Sequence, residues 1–422
     1  MEKFIIEGQT PLKGKIAISG SKNAALPLMA AALLADGDVQ LNNIPLLQDI
    51  YTFINVIKET GCQVNFFEDK RSLVFNASSV NKLEAPYDLV RKMRASFYML
   101  GALVGRFGYA KVSLPGGCAW GPRPVNLHVE ALKALGIEIT MDKGYVIAKA
   151  PKTGIPGGEF TFNPRSVGAT VNAVLAAVLA KGKTVLHNVA QEPDVVQLCT
   201  ALVKMGASIE GIGNSTLVIH GVPALKGTTL DNAPDRIETG TYMLAAIMHP
   251  ESEITITHSD PDDLGHFIEQ FKQTGATISV NGTDIYVKAP KKINPVSITT
   301  DVYPGFPTDL QAQWATAMTI AEGRSVITDT IYTDRFSYVP ELNRLGASLE
   351  IAQNSVHVHG NSQLSGASIM STDLRASVSL VMAAMVAEGQ SEVLRIYHLD
   401  RGYEFLEKKL NAIGAKIKRV KE

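Results

Sequence analysis

Val195-Val196-Gln197-Leu198-Cys199-Thr200-Ala201-Leu202-Val203-Lys204-Met205-Gly206-Ala207-Ser208-Ile209-Glu210 reads as a helix, a stop and the start of a strand. Its apolar residues recur at three- and four-residue spacing, as on one face of a helix, and 207–210 alternates as a half-buried strand does. Gly206 between them suits a left-handed helix C-cap. Thr216 to His220 follows as a second strand. The same passage returns at Gly61, Gly136, Gly275, Gly346 and Gly414, at intervals of 68 to 75 residues, too regular for chance. The chain is therefore a repeat of about 70 residues in six copies.

Each copy carries an earlier landmark, an apolar helix closing on a glycine and a strand. The glycine falls at Gly37, Gly108, Gly182, Gly323 and Gly389, while Pro250 interrupts the fourth copy near Glu251. The apolar helices run over Asn23 to Leu34, Ala95 to Val104, Thr170 to Leu179, Thr241 to Ile247, Gln311 to Ile320 and Ala376 to Ala387. Apolar nearly all round, they belong inside a domain, with the more polar second helices and the sheets outside. The unit is βαβαββ. Six copies grouped three and three place the seam near Asn232 to Ile237, and residues 1 to about 21, with no complete copy of their own, are expected to complete the last one.

Composition excludes several classes. With 422 residues, 45% hydrophobic and 19% charged, the chain is ordinary for a globular protein of two or three domains. A formal charge of −1 gives no footprint for nucleic acid or an anionic membrane, so any anion must be held by a local cluster. No signal peptide and no apolar run of membrane-spanning length is visible, which points to the cytoplasm. Cys62, Cys118 and Cys199 form neither a disulfide framework nor a metal-ligand spacing. Cys62 and Cys199 fall at core positions. His357 and His359 have no third metal ligand nearby in sequence, and no P-loop or dinucleotide fingerprint is present.

Chemistry is expected where one copy departs from the others. The second copy carries Leu114-Pro115-Gly116-Gly117-Cys118-Ala119-Trp120-Gly121-Pro122-Arg123-Pro124-Val125-Asn126-Leu127-His128, a long Gly/Pro loop with a thiol five residues from a guanidinium. A nearby cation favours the thiolate and makes such a thiol reactive; an idle thiol in a turn is the plain alternative. In the first copy Ser21 is a good N-cap and Lys22 stands at a helix start, an anion site or simply a cap with a neighbouring lysine. Asp309 and Asp373 precede helices in the fifth and sixth copies, where the macrodipole alone would favour them. Across the copies the first-helix starts hold Lys22, Arg94, Ser166, Glu238, Asp309 and Arg375.

Taken together, Ser21-Lys22-Asn23-Ala24-Ala25-Leu26-Pro27, Pro115-Gly116-Gly117-Cys118 with Arg123-Pro124-Val125, Phe306-Pro307-Thr308-Asp309 and His398-Leu399-Asp400-Arg401-Gly402-Tyr403 resemble the enolpyruvyl transferases that act on UDP-N-acetylglucosamine, in order and along the whole chain. The resemblance implies an α/β fold of two domains, each an inside-out α/β barrel of three βαβαββ repeats. The first would span 22–233 and carry the Cys118 loop; the second would join 1–21 to 234–422, with the active site in the cleft between them. It implies transfer of the enolpyruvyl group of phosphoenolpyruvate to the 3′-hydroxyl of UDP-N-acetylglucosamine with release of phosphate, without cofactor or metal, as the first committed step of peptidoglycan synthesis.

By the same resemblance Cys118 is the general acid, and the thiol that a fosfomycin-type epoxide phosphonate alkylates. Asp309 takes the sugar proton, and Lys22, Arg123 and Arg401 hold phosphate and carboxylate. Asn23 and Arg94 lie near the substrates. Arg123, Pro124, Val125, Asn126 and Leu127, Arg165, Ser166, Val167 and Gly168, and Ile331 line the nucleotide side, with Asp373 and Arg375 as supporting charges. Two positions depart from the pattern: Asn126 stands where Asp is expected, and Trp120 is bulkier than the usual loop residue. The sister activity on shikimate 3-phosphate lacks this form of the Cys118 loop. A paralogue that binds the nucleotide sugar without catalysis is the remaining alternative.

Overall fold

The computed structural model describes residues 2–91, 93–114 and 125–421. It divides into two compact units, Gly20–Ala233 and Met1–Ser19 with Pro234–Glu422, each built around its own hydrophobic core.

The third repeat shows the pattern in full. Strand Gly158–Thr161, helix Val167–Ala177, strand Lys183–His187, helix Pro193–Lys204 and strands Ser208–Glu210 and Thr216–His220 follow in order. The first strand pairs parallel with the second, which pairs antiparallel with the last of the four, and the third strand lies at the edge. All six four-stranded sheets of the described residues share this arrangement.

What the repeat could not reveal is which strand each copy borrows. In one unit the leading strand of the first repeat is supplied by Thr229–Asp231, after the third, with Thr229 opposite Gln40. In the other, Lys13–Ala17 leads the fourth repeat, and Glu2–Glu7 is inserted between Gln390–Leu394 and Lys416–Lys421 of the sixth. Residues 1–21 thus complete two repeats, not the last one alone.

The inner helices are apolar because they have no wet face. Lys22–Ala31, Met99–Phe107 and Val167–Ala177 serve one unit, and Arg236–Ile247, Gln311–Met318 and Leu374–Val386 the other; almost every residue in them is buried. Small residues set their approach. A Cβ on Gly101 would sit 2.3 Å from the Asn172 carbonyl oxygen and 2.7 Å from its Oδ1. Gly101→Ala is therefore expected to lower stability by about 3 kcal/mol, the upper end for overpacking a tight core; urea unfolding checks it, and a loss below about 1 kcal/mol would show that these helices can slide apart.

The outer helices end as expected. Gly61, Gly136, Gly206, Gly275, Gly346 and Gly414 all have φ between +85° and +113°, and each donates its N–H to the carbonyl three residues back. After four of them the next residue bonds five back, as Ala207 does to Leu202, which is the Schellman pattern.

Candidate active site

In the unit holding the last three repeats, Asp309 lies in the short turn Thr308–Leu310 that leads into helix Gln311–Met318. It does not cap that helix. A guanidinium sits on each carboxylate oxygen, Arg335 Nη1 at 2.7 Å from Oδ1 and Arg375 Nη2 at 2.9 Å from Oδ2. Both arginines are buried, while the Asp309 side chain is 27% exposed. Burial works against the charge, but Arg375 and Arg335 outweigh it and hold the carboxyl well below the usual carboxylate range. Asp309 is therefore an ionised carboxylate reachable from solvent.

Asp373 has the plainer role. Its Oδ1 accepts the N–H groups of Arg375 and Ala376, capping helix Leu374–Val386 and fixing the turn that carries Arg375. Arg375 Nη1 reaches the buried Tyr403 hydroxyl at 3.2 Å, which also meets Thr241 and Gln313. The segment after Arg401 is thereby tied to the guanidinium that holds Asp309. Arg401 ends the turn Ile396–Arg401, whose Asp400 is gripped by both Nη atoms of Arg419. Ile331 is exposed on a loop fixed by the fully buried Asp329, which accepts from the Ile331 and Tyr332 N–H groups and from Thr300 and Thr308. Glu238, the fourth inner-helix start, is used internally: Ser19 N–H, Lys409 and Tyr242 all bond to it.

In the other unit Lys22 opens helix Lys22–Ala31, capped by Ser21, whose Oγ takes the Ala24 N–H. Its Nζ lies 3.0 Å from Asp49 Oδ2, both side chains nearly buried; the lysine is held at its place by an acid. Asn23 beside it is exposed. Arg94 begins the turn Arg94–Tyr98, which packs against helices Lys22–Ala31 and Val167–Ala177. Arg165 donates Nε to Asn188, and Ser166 caps helix Val167–Ala177 ahead of Gly168. Val125 precedes helix Asn126–Ala134, with Asn126 exposed, Leu127 half-buried and His128 buried. Cys118, Trp120, Arg123 and Pro124 lie outside the described residues. Burial pushes the Cys62 thiol up to about 11 and the Cys199 thiol to about 12.

Arg335 and Asp49 escaped the sequence reading, although a signal exists. The stretch that opens each outer helix carries a charge 11 to 13 residues ahead of the terminal glycine: Asp49, Arg123, Asp194, Asp263, Arg335 and Arg401. In the first copy Asp49 pairs with the inner-helix start Lys22; in the fifth Arg335 pairs with Asp309, the same contact with its charges exchanged. The second and sixth copies have arginine at both positions, Arg94 with Arg123 and Arg375 with Arg401.

A family model described as EPSP synthase (3-phosphoshikimate 1-carboxyvinyltransferase) matches residues 6–410. Among curated relatives, the UDP-N-acetylglucosamine 1-carboxyvinyltransferase of Chloroherpeton thalassium is 51% identical over 420 residues, covering 99% of this chain and 97% of the relative. The enzyme of the same name from Novosphingobium aromaticivorans is 48% identical, covering 100% and 99%. Among solved structures, the enolpyruvyl transferase NikO of Streptomyces tendae superposes with a TM-score of 0.90 at 26% identity, covering 99% of both chains. EPSP synthase of Acinetobacter baumannii, at 17% identity and a TM-score of 0.77 over 100% of both chains, shares the fold.

Proposed function

The chain belongs to the EPSP synthase family, and on that premise we propose that it transfers the enolpyruvyl group of phosphoenolpyruvate to the 3′-hydroxyl of UDP-N-acetylglucosamine, releasing phosphate, the first committed step of peptidoglycan synthesis. The full-length relatives with that activity in their names support the choice of acceptor over shikimate 3-phosphate. Among the described residues no helix is long and apolar enough to cross a membrane, and a cytoplasmic location belongs to the same reading.

On this chain the observation that carries the reading is Asp309, an ionised, reachable carboxylate with a guanidinium on each oxygen. Addition requires a proton delivered to the methylene carbon of phosphoenolpyruvate while the sugar oxygen bonds to its C2 and loses its own proton. Cys118 delivers the first and Asp309 accepts the second. With both oxygens bound, Asp309 is a weak base toward a free alcohol. It suffices because the acidity of the sugar hydroxyl rises as its bond to C2 forms. The tetrahedral adduct then loses a methyl proton and its phosphate, restoring the double bond.

Lys22, Arg123 and Arg401 hold the phosphate and carboxylate in this scheme, with Asn23 and Arg94 nearby. Val125, Asn126 and Leu127, Arg165 to Gly168 and Ile331 face the nucleotide, and Arg375 holds Asp309 in place. Asn126 keeps an acceptor where a carboxylate is usual, so its nucleotide contact is retained without the charge.

Phosphate release on mixing the two substrates tests the proposal directly. Release with UDP-N-acetylglucosamine and none with shikimate 3-phosphate is expected; the reverse would assign the sister reaction, and no release with either would leave a binding protein.

A further inference from the structure

Tyr403 is 1% exposed, and the scheme above gives it no part. Across the six copies the residue 11 before the terminal glycine is Ile50, Val125, Val195, Leu264, Arg335 and Tyr403. Four of these are aliphatic. Of the two polar ones, Arg335 bonds Asp309 directly, and Tyr403 reaches it at one remove, through Arg375.

The neighbours of the Tyr403 hydroxyl decide which way its proton points. Thr241 Oγ1 donates to the Ile237 carbonyl four residues back at 2.7 Å, so toward Tyr403, 2.9 Å away, it can only accept. The phenol proton therefore lies on Thr241. The lone pairs of the phenol oxygen then accept from Arg375 Nη1 at 3.2 Å and Gln313 Nε2 at 3.3 Å. Burial pushes the phenol above its usual pKa, so it stays a neutral hydroxyl at working pH.

Both donors lead to Asp309. Arg375 Nη2 is the group on Asp309 Oδ2, at 2.9 Å, and Gln313 Nε2 also donates to the Asp309 carbonyl oxygen, at 3.0 Å. One phenol oxygen thus touches the group that holds the Asp309 carboxylate and the group that holds its backbone. Its own place is fixed by the segment that follows Arg401. Tyr403 N–H bonds the Leu399 carbonyl at 2.9 Å, and Gly402 lies so close to Leu374 that a Cβ on it would come within 2.5 Å of Cδ2.

We infer that Tyr403 is a positioning residue for the transfer reaction: its hydroxyl aims Arg375 and Gln313 at Asp309, so that the carboxylate stands where the sugar hydroxyl gives up its proton. This rests on the function proposed above. The role needs the oxygen and not the ring alone, since a bare ring offers Arg375 Nη1 no lone pair.

Tyr403→Phe keeps the ring and removes only that oxygen. A crystal structure of the ligand-free variant is expected to show Arg375 Nη2 displaced from Asp309 Oδ2; a guanidinium left in its wild-type place would overturn the inference whatever the substrate. In steady-state kinetics the variant is expected to lose about tenfold in kcat, the weight of one hydrogen bond to a charged group, with KM for both substrates within about twofold. The loss is carried through Asp309, so in the Asp309→Asn background the same substitution is expected to change kcat by less than about twofold. Tyr242→Phe removes an equally buried phenol oxygen that bonds Glu238 instead, and is expected to keep kcat within about twofold. Unchanged kcat in a folded Tyr403→Phe protein, a full tenfold loss in the Asp309→Asn background, a comparable loss in Tyr242→Phe, or losses in all parameters that track the melting temperature would leave Tyr403 a packing residue only. Wild-type turnover judges the functional reading separately.

Discussion

Asp309→Asn is expected to lower kcat by about a thousandfold, within the range for removing a general base, while KM for UDP-N-acetylglucosamine changes little. The asymmetry follows from geometry. The variant keeps an oxygen for one guanidinium and a similar shape, so ground-state contacts survive, but it cannot accept the sugar proton. A second effect comes from Arg335 and Arg375, which are 8% and 4% exposed and lose the charge that both face. Leaving buried charges unpaired costs about 3 kcal/mol, and urea unfolding should show a loss of that order alongside the kinetic one.

The pH dependence has a definite sign. The folded-state pKa of Asp309 is depressed by its two arginines, so its contribution to stability is fully present above the unfolded value of about 3.9. That contribution is lost as pH falls from there through the lower folded value. Wild type and Asp309→Asn should therefore differ most near neutrality and converge in strong acid. The same depression keeps the base form populated throughout the ordinary working range, so the acid limb of the rate profile should show no ionisation from Asp309 in the usual carboxylate range. Full activity in the variant, or a nucleotide KM that rises as much as kcat falls, would remove Asp309 from the role of base.

The fold was legible because one backbone requirement recurs: six outer helices end on a residue with positive φ, and glycine marks each of them. The inner helices were legible from composition, since a helix without a wet face leaves an unbroken apolar run. Strand exchange was not. Thr229–Asp231 is three residues long and pairs with Asp38–Asn42 nearly two hundred residues earlier, and nothing local announces a partner so distant. At the site, the residues at inner-helix starts are visible because they recur at one place in every copy. Asp49 sits in the first turn of helix Gln48–Glu59 and Arg335 in the loop before helix Val339–Arg344, in a second series whose charge differs in sign from copy to copy, and only the contacts Lys22–Asp49 and Asp309–Arg335 reveal that the two series face each other. The distinction between Asp309 and Asp373 also lies beyond sequence. Both precede a helix, and only the hydrogen bonds show that one caps it while the other faces two arginines.

Cys118→Ser is expected to reduce turnover by about 10² to 10⁴, the span for losing a general acid, and to abolish covalent capture of an epoxide phosphonate. A serine hydroxyl fills the same space, but it gives up its proton far less readily than a thiol and yields no thiolate to open the epoxide. The other two thiols set the contrast. Cys62 and Cys199 are buried in the core of their unit, 4% and 1% exposed, with their thiols pushed up to about 11 and about 12. At neutral pH their thiolate fraction is on the order of one in a thousand or less, since a buried apolar setting suppresses the reactive form. Cys118, five residues before Arg123 in the Gly/Pro loop, is the thiol whose sequence context favours reactivity. Mass spectrometry of protein digested after treatment with fosfomycin should therefore place the adduct on Cys118 and none on Cys62 or Cys199. Modification of a core cysteine at a comparable rate, or undiminished turnover by Cys118→Ser, would assign the proton at the methylene carbon to another group.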